Sequence, residues 1–280
     1  MFAEVSSYVS IENLIRGIVI QSGNDACIAI AEGISGSEDL FAIEMNFFTQ
    51  KLGMKDSNFK NSTGLHHKEH YTSARDLVIL AKALISDFPQ YYHFFSEENF
   101  TWNDIFQPNR NNLLKDNIGV DGLKTGKTDQ SGFSMIVSSF INQTRLIAVL
   151  GGLPSKEMRT SEMRKLINYG QKAFKRSLVF KANQVIDNVE VWGGEESFAD
   201  LAVSDDINLL LDIRGRRFLN ARYLYNSPIA APIKKGDTIG KIIILNDDEI
   251  IIESNLISNK DIDSSNFIKR AIDAMGYLFN

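Results

Sequence analysis

The chain has 280 residues, and its fractions of 44% hydrophobic and 23% charged residues are ordinary for a globular protein. Its net charge of −5 argues against a general nucleic-acid-binding protein, and its one cysteine, Cys27, excludes an internal disulfide and a cysteine-based zinc site. The sequence has no apolar run of about 18 residues, the length of a membrane-spanning helix, and its N-terminus lacks the basic start and apolar stretch of a secretory signal.

Residues 10 to 52 have the pattern of consecutive helices. Ser10 is a predicted N-cap of the stretch IENLIRGIVI. Ser37, which precedes two acidic residues, is a predicted N-cap of a later helix that ends near Gly53. Helical spacing predicts one apolar stripe on this later helix, formed by Leu40, Ile43, Phe47 and Phe48.

The stretch TSARDLVILAKALISDF predicts the clearest helix of the chain. Ser73 and Asp76 have the spacing of a capping box ahead of the apolar residues. Four apolar residues recur at helical spacing and are predicted to face the core: Leu77, Leu80, Ala81 and Leu84.

After Phe100 the apolar period changes to two, which indicates strands. The stretches GFSMIVSSF and TRLIAVLGGL predict an antiparallel hairpin, and a helix is predicted from about Lys156 to Lys175. The N-terminal part of the chain is therefore predicted to be an α+β fold, with helices packed around an antiparallel sheet.

After about Phe180, short β-like runs alternate with turn residues and predict a small all-β sandwich domain. The runs IIIL and EIIIE around Asn246, Asp247 and Asp248 predict a hairpin. The C-terminal stretch SNFIKRAIDAMGYLFN has the pattern of an amphipathic helix, which suits either a helix docked on the body or one lying in the plane of a membrane surface. Its apolar stripe consists of Phe267, Ile268, Ala271, Ile272, Met275, Leu278 and Phe279.

The stretch DGLKTGKTDQSG ends in a way that suggests a nucleotide-binding P-loop. That loop follows the pattern G-x-x-x-x-G-K-[ST], but Gly122 and Gly126 are one residue too close for it. The alternative takes Lys124, Thr125 and Gly126 as the unit, since Lys-Thr-Gly is a motif of the penicillin-recognising serine enzymes. Three residues alone are weak support, so a second motif is needed.

A second motif is found at Ser22-Gly23-Asn24, where one predicted helix ends and the next begins. In acyl transfer, a hydroxyl beside a basic group can relay a proton, and a carboxamide can hold a substrate amide. The simpler explanation is a turn that caps a helix, for which Ser-Gly-Asn is equally suited. The order of the two motifs, Ser22 to Asn24 and then Lys124 to Gly126, favours the chemical interpretation.

With these motifs, the chain resembles the serine D-alanyl-D-alanine carboxypeptidases, the low-molecular-mass penicillin-binding proteins. The stretches LIRGIVIQSGNDACIAIAE, NSTGLHHKEHYTSARDL, NRNNLLKDNIGVDGLKTGKTDQSGFSM and RLIAVLGG resemble blocks of that family in its order. The resemblance spans nearly the whole chain. It implies a penicillin-binding, β-lactamase-like domain at 1–178, an all-β domain at 179–260, and an amphipathic membrane-anchor helix at 261–280.

The resemblance also implies roles for individual residues. Ser22 matches the family's proton relay, and Asn24 matches the residue that holds the substrate amide. Lys124 matches the source of positive potential on the Lys-Thr-Gly strand, which is expected to pair with the peptide through its backbone.

The remaining matches concern the substrate's terminal carboxylate. Thr125 matches the residue whose hydroxyl binds this carboxylate, and Gly126 completes the motif. Arg110, in the stretch NRN, resembles the basic residue that helps to fix the same group. No metal or organic cofactor is implied, and the histidines of the stretch HHKEH are expected to lie in a solvated loop rather than to bind a metal.

The family's third element, a Ser-x-x-Lys motif on a helix, does not precede Ser22 in this sequence. The one match, from Ser57 to Lys60, lies after Ser22 in a predicted loop and is not expected to be the nucleophile. The sequence therefore resembles a family member that lacks its N-terminal part, as a mis-assigned start codon, a decayed gene or a deliberate truncation would each produce. Such a chain is expected to self-associate through an unpaired sheet edge.

The expected function follows from this resemblance. It is the removal of the terminal D-Ala from peptidoglycan stem peptides through a serine acyl-enzyme, with doubtful activity in this chain because the nucleophile motif is missing. The alternative is a non-catalytic remnant that binds these peptides. The expected partners are stem peptides ending in D-Ala-D-Ala, β-lactam antibiotics and the membrane surface, and the expected location is the periplasmic face of a bacterial inner membrane.

Overall fold

A computed structural model describes residues 1–212, 219–246 and 249–278. By its contacts the chain divides into two units, Met1–Lys172 and Ala173–Asn280, and each is described by itself. The finer division predicted from the sequence, with boundaries after 178 and after 260, stays a prediction. Among the described residues, no helix combines the length and the apolar character that crossing a bilayer requires.

Three helices of the first unit begin at the capping residues predicted from the sequence. Ser10 Oγ accepts a hydrogen bond from the backbone N–H of Asn13, Ser37 Oγ from that of Leu40, and Ser73 Oγ from that of Asp76, at 3.1–3.3 Å. A π-helical turn, Gly17–Gln21, follows the first helix directly. The helices are α1 (Ile11–Arg16), α2 (Asn24–Ser35), α3 (Glu38–Leu52), α4 (Ala74–Asp87) and α5 (Lys156–Ala173).

The strands of the first unit form a two-stranded and a three-stranded antiparallel sheet. The predicted hairpin is confirmed, and its two turn residues, Asn142 and Gln143, have the positive φ angles of a tight hairpin turn. The three-stranded sheet has the order β3-β4-β5, so β3 lies at one of its edges. The strands are β1 (Asn99–Trp102), β2 (Ile105–Pro108), β3 (Val120–Thr128), β4 (Gly132–Ile141) and β5 (Thr144–Leu153).

Two predicted apolar faces are not buried as a core face would be. The stripe of α3 is solvent-exposed, with exposed fractions of 52–65% for Leu40, Ile43, Phe47 and Phe48. Of the four predicted core residues on α4, only Ala81 is buried, and the three leucines at 77, 80 and 84 line an apolar cavity of about 290 Å³ beside Leu123 of β3. Helical spacing therefore identified the apolar faces correctly, but it carried no information about what packs against them.

The second unit is β-rich, which confirms the predicted class. A six-stranded sheet, ordered β10-β12-β13-β8-β7-β11, and a two-stranded sheet, β6-β9, contribute to one core that includes Leu201, Leu209 and Ile242. The predicted hairpin is formed by β12 and β13, and the turn residues Asp247 and Asp248 lie outside the described residues. The strands are β6 (Phe174–Phe180), β7 (Val185–Trp192), β8 (Phe198–Val203), β9 (Ile207–Asp212), β10 (Leu219–Tyr225), β11 (Ile229–Ala230), β12 (Thr238–Asn246) and β13 (Glu249–Ser258).

The C-terminal helix, α6 (Phe267–Leu278), is present where the sequence predicts it. Phe267, Ile268 and Ile272 are exposed, at 84%, 70% and 59%. The other end of the predicted stripe, with the side chains of Met275, Leu278 and Phe279, lies outside the described part of the structure. The described end of the helix thus presents apolar side chains to its surroundings.

Candidate active site

Ser22 lies at the break between the π-helical turn and α2. Its φ of 58° is in the left-handed region, and its backbone N–H donates to the carbonyl of Gly17. Gly23 is the N-cap residue of α2, and Asn24 is the first residue of that helix. The break therefore places the side chains of Ser22 and Asn24 at the start of α2, where both line a large cavity.

Lys124 of β3 reaches across to Ser22. Its Nζ donates to Ser22 Oγ at 2.7 Å and to the carbonyl oxygen of Thr125 at 3.2 Å. Burial lowers the pKa of Lys124 to about 8, and the charges of Arg110 and Arg159 contribute in the same direction. A lysine with this pKa exchanges protons near neutral pH, and Ser22 is the hydroxyl in direct contact with it.

Thr125 and Gly126 continue β3 along the wall of the cavity. Thr125 is buried, at 8% exposed, and pairs with Met135 of β4. A Cβ atom at Gly126 would lie 2.7 Å from Ser134 Oγ, so a larger residue there would require the Ser134 side chain to move. The glycine therefore leaves room for the Ser134 hydroxyl, which also lines the cavity.

Arg110 is held in place by the asparagines on either side of it. The backbone N–H of Asn111 donates to Asn109 Oδ1 at 2.9 Å, and Asn111 Nδ2 donates to the carbonyl of Gly122 on β3 at 3.0 Å. Both asparagines are buried, whereas Arg110 is exposed and lines the cavity. The NRN stretch thus fixes an arginine beside the Lys-Thr-Gly strand through buried amide hydrogen bonds.

All six residues predicted from the sequence line one cavity of about 1130 Å³. Apolar side chains form another part of its wall, among them Met45, Phe48 and Leu77. A hydroxyl, a carboxamide and several cations thus face a partly apolar space, an arrangement that suits a peptide with an anionic end. The six residues are Ser22, Asn24, Arg110, Lys124, Thr125 and Gly126.

Two other sequence patterns, the P-loop-like stretch and the Ser57–Lys60 match, do not have the structure that their chemistry would need. Residues 120–128 form a strand and not a phosphate-binding loop, which rules out the P-loop interpretation. The Ser57–Lys60 match is not helical, and neither Ser57 nor Lys60 lines the cavity, although Phe59 between them does. Ser57 Oγ donates to Asp76 Oδ2 at 2.6 Å, and Lys60 Nζ lies 3.2 Å from Glu69 Oε2.

The predicted capping box of α4 forms only in part. Ser73 Oγ accepts from the backbone N–H of Asp76, but the Asp76 carboxylate binds Ser57 and the backbone N–H of Asp56 rather than the backbone of Ser73.

Sequence reasoning missed several charged residues of the cavity wall, among them Arg159 of α5. Arg159 lies at the same face as Met163 and Ile167, and these three are the buried residues of the helix. A signal was present in the sequence, because an arginine occupies a position of the apolar stripe at a spacing of four residues.

Comparison with known proteins matches residues 1–154 to the D-alanyl-D-alanine carboxypeptidase family and residues 174–264 to the C-terminal domain of penicillin-binding protein 5. The chain is 38% identical to the D-alanyl-D-alanine carboxypeptidase DacA of Escherichia coli K12, covering 100% of this chain and 70% of DacA. Penicillin-binding protein 5 from Haemophilus influenzae has a similar fold, with a TM-score of 0.75, 36% identity and coverage of 94% of this chain and 78% of that protein.

A further solved relative carries a ligand. Penicillin-binding protein D2 from Listeria monocytogenes, in its cefotaxime-bound form, matches with a TM-score of 0.54 and 27% identity, over 60% of this chain and 73% of that protein. Together with the two-domain match, these relatives confirm the predicted fold class, a penicillin-binding domain followed by a β-rich domain.

Proposed function

Because this chain belongs to the D-alanyl-D-alanine carboxypeptidase family, a family of serine hydrolases, we propose that its large cavity binds peptidoglycan stem peptides ending in D-Ala-D-Ala. The observation that carries the proposal is the 2.7 Å contact between Lys124 Nζ and Ser22 Oγ, two groups 102 residues apart in sequence. In the family reaction, a serine attacks the peptide bond, an acyl-enzyme forms as D-Ala leaves, and water releases the shortened peptide.

Ser22 and Lys124 take the role of a proton relay in this proposal. The departing D-Ala nitrogen needs a proton, and a hydroxyl hydrogen-bonded to a lysine of pKa about 8 can pass one on. The ammonium also adds positive potential to the cavity. Each proton that Ser22 delivers is replaced from Lys124, so the hydroxyl ends each transfer unchanged.

Different groups of the cavity hold the terminal carboxylate of the substrate and its peptide backbone. The terminal carboxylate binds the Thr125 hydroxyl and the Arg110 guanidinium, both of which line the cavity. The Asn24 carboxamide holds a substrate amide, and the edge of β3 pairs with the peptide backbone in the manner of an added strand. The same recognition groups suit β-lactam antibiotics, whose carboxylate occupies the place of the D-Ala carboxylate.

Two candidate activities differ in whether the chain has a working nucleophile: the first is hydrolysis through an acyl-enzyme, and the second is binding of the peptide without acylation. The sequence has one Ser-x-x-Lys match, and its hydroxyl and amine are both engaged, Ser57 with Asp76 and Lys60 with Glu69. This observation favours the second candidate for residues 1–280, a binder of stem peptides that is not acylated. Loss of a nucleophile in a serine hydrolase lowers turnover by roughly 10⁶-fold.

The location that fits this function is the periplasmic face of the inner membrane. The exposed Phe267, Ile268 and Ile272 of α6 are proposed to enter the interfacial layer of the bilayer, with the helix lying in the membrane plane. Binding of the chain to anionic vesicles, compared with a variant carrying Phe267→Ser and Ile268→Ser, measures this contribution. Equal binding of the two would contradict the proposed contact between α6 and the membrane.

The deciding experiment combines acylation with binding. The purified chain is incubated with a labelled penicillin and its intact mass is measured, and binding of diacetyl-L-Lys-D-Ala-D-Ala is measured by calorimetry. Peptide binding without a mass increase supports the non-acylated binder. A penicilloyl adduct identifies a working nucleophile, which peptide mapping then locates, and absence of peptide binding overturns the proposal.

A further inference from the structure

Helix α3 packs on the first unit by one face and has a second apolar face directed outward. The packed face includes Ala42 and Thr49, which are 5% and 4% exposed. The outer face of α3 is formed by Leu40, Ile43 and Phe47, which helical spacing places on the other side of the helix and which are 52%, 65% and 53% exposed. A surface helix normally has polar side chains there. The outer face of α3 therefore has the composition of a packing surface.

The arrangement of this face is that of a helix–helix contact. Leu40, Ile43 and Phe47 follow one another at spacings of three and four residues, as the seam positions of paired helices do. The Phe47 ring packs edge to face on Phe48, with centroids 5.9 Å apart, and Lys51 Nζ lies 4.3 Å from its centroid. These contacts order the ring before any partner binds, so docking on it costs less side-chain entropy.

The end of α2 extends the apolar surface beyond α3. Ser35 Oγ donates to Glu44 Oε1 at 2.9 Å, which holds the last turn of α2 beside α3. Ile34, in that turn, is 65% exposed. Two helices thus contribute to one exposed apolar patch, a feature that marks interaction sites on soluble proteins.

The charges of α3 indicate which partner fits the patch. The first turn of the helix is acidic, with Glu38 and Asp39, and its last turn carries Lys51. A second copy packed antiparallel places the acidic end of one helix beside the basic end of the other, twice in a symmetric pair. The two helix dipoles are then also opposed, which is their favourable arrangement. The surface is therefore complementary to itself.

From these observations we infer that the outer face of α3 binds the same face of a second copy of the chain, with the two helices antiparallel across a two-fold axis. This inference does not rest on peptide binding, and it uses a surface other than the edges of the three-stranded sheet. One helix face from each copy makes a small interface, so a dissociation constant on the order of 10 µM is expected.

Sedimentation equilibrium of the full chain, from about 1 to about 200 µM, measures the dimer. The wild type is expected to show a monomer–dimer equilibrium. The double variant Ile43→Glu, Phe47→Glu is expected to weaken it by about 100-fold or more, because four like charges then meet in one interface. The matched control is Leu166→Glu, Tyr169→Glu on α5, where the wild-type side chains are 40% and 53% exposed, and it is expected to dimerise like the wild type.

A charge-exchange experiment tests the symmetric contact itself. The double variant Ile43→Lys, Phe47→Lys is expected to be monomeric alone, for the same reason as the glutamate variant. A mixture of the two, with one of them fluorescently labelled, is expected to form a heterodimer at least as tight as the wild-type dimer, since each outer face then meets the opposite charge. Absence of a heterodimer would contradict the symmetric contact.

Each of the remaining outcomes also decides. A wild type that stays monomeric at every concentration overturns the inference, and vesicle binding that the glutamate variant loses would then assign the face to a membrane. Association that the glutamate variant leaves unchanged places the contact on another surface, such as a sheet edge, and overturns it as well. Should the glutamate variant not fold, Phe47→Ser decides in the same measurement, with unchanged dimerisation counting against the inference.

Discussion

Two serine–lysine pairs of the first unit differ in whether closeness in sequence corresponds to contact in the structure. Ser57 and Lys60 are three residues apart and fit a known catalytic spacing, yet each side chain binds a carboxylate, Asp76 or Glu69. Ser22 and Lys124 are 102 residues apart and meet at 2.7 Å on the wall of the cavity. A spacing is chemically meaningful only on the element that produces it, because a helix brings residues three apart onto one face and a loop does not.

The difference also lies in what surrounds each lysine. The amine of Lys60 has an anionic partner, so its charge is compensated locally. Lys124 is half-buried near Arg110 and Arg159, and its hydrogen-bond acceptors, Ser22 Oγ and the Thr125 carbonyl, are neutral. The first pair therefore stabilises the fold, and the second is proposed to transfer protons in the cavity.

The largest expected effect comes from removing the carboxylate that engages Ser57. Asp76 is 1% exposed, and its Oδ2 accepts from Ser57 Oγ and from the backbone N–H of Asp56. Asp76→Ala is expected to lower the free energy of unfolding by about 3 kcal/mol, since two donors to a charged group lose their acceptor. Urea unfolding measures this, with the exposed Asp129→Ala as a control of unchanged stability. Equal midpoints for the two variants would contradict the structural role of the Ser57 site.

The second prediction exchanges the two lysines for methionine. Lys124→Met is expected to weaken binding of diacetyl-L-Lys-D-Ala-D-Ala by about 10- to 100-fold, because an ammonium of the cavity wall is lost. Lys60→Met, which lies outside the cavity lining, is expected to bind like the wild type. Calorimetry with both variants is the measurement, and similar losses in the two would mean that the cavity has been wrongly assigned.

The third prediction concerns pH. Because the pKa of Lys124 is lowered to about 8 in the folded chain, this residue releases its proton before its unfolded counterpart does. Its contribution makes the folded state more stable as pH rises from about 8 toward the usual lysine value, while peptide affinity falls over the same range as the ammonium is lost. Calorimetry and urea unfolding from about pH 6.5 to about pH 9.5 measure both trends. In Lys124→Met both trends should disappear, and their persistence would assign them to another group.

The smallest predicted effects concern the two serines. Ser22 has a φ of 58°, which glycine adopts without strain, but Ser22→Gly also removes the acceptor of Lys124 Nζ. Ser22→Gly is therefore compared with Ser22→Ala, which loses the same hydrogen bond, and is expected to have a free energy of unfolding about 1 kcal/mol higher than Ser22→Ala. Ser57→Gly loses the bond to Asp76 and is expected to have a free energy of unfolding about 1 kcal/mol lower than the wild type. Urea midpoints of the three variants give the comparison, and a Ser22→Gly variant no more stable than Ser22→Ala would mean that the backbone at Ser22 is not strained.

Local signals in the sequence predicted local structure well. Ser10, Ser37 and Ser73 cap the helices that they were expected to cap, and the β4–β5 hairpin forms where the period of two was found. These features depend on a few neighbouring residues, so a short window contains the information that they need. The six residues of the candidate site were also predicted, but through the family resemblance, which supplied the distance information that local patterns lack.

What remained hidden depends on contacts distant in sequence. The exposed stripe of α3 and the half-buried leucines of α4 have the same apolar pattern as core residues, and only their neighbours distinguish them. Arg159 is an instructive case, because its place on an apolar stripe was visible but its proximity to Arg110 was not. A charge on the apolar face of a helix is therefore worth testing as a site residue on the strength of the sequence alone.

The lowered pKa of Lys124 makes this residue a candidate for selective chemical labelling. At neutral pH, an amine with a pKa of about 8 holds on the order of a few hundred times more of its neutral, nucleophilic form than one at the ordinary value of 10.5. Small electrophiles such as cyanate should therefore modify Lys124 well ahead of surface lysines, and a peptide seated in the cavity should protect it. The rate of carbamylation would then report cavity occupancy directly, without any need for turnover.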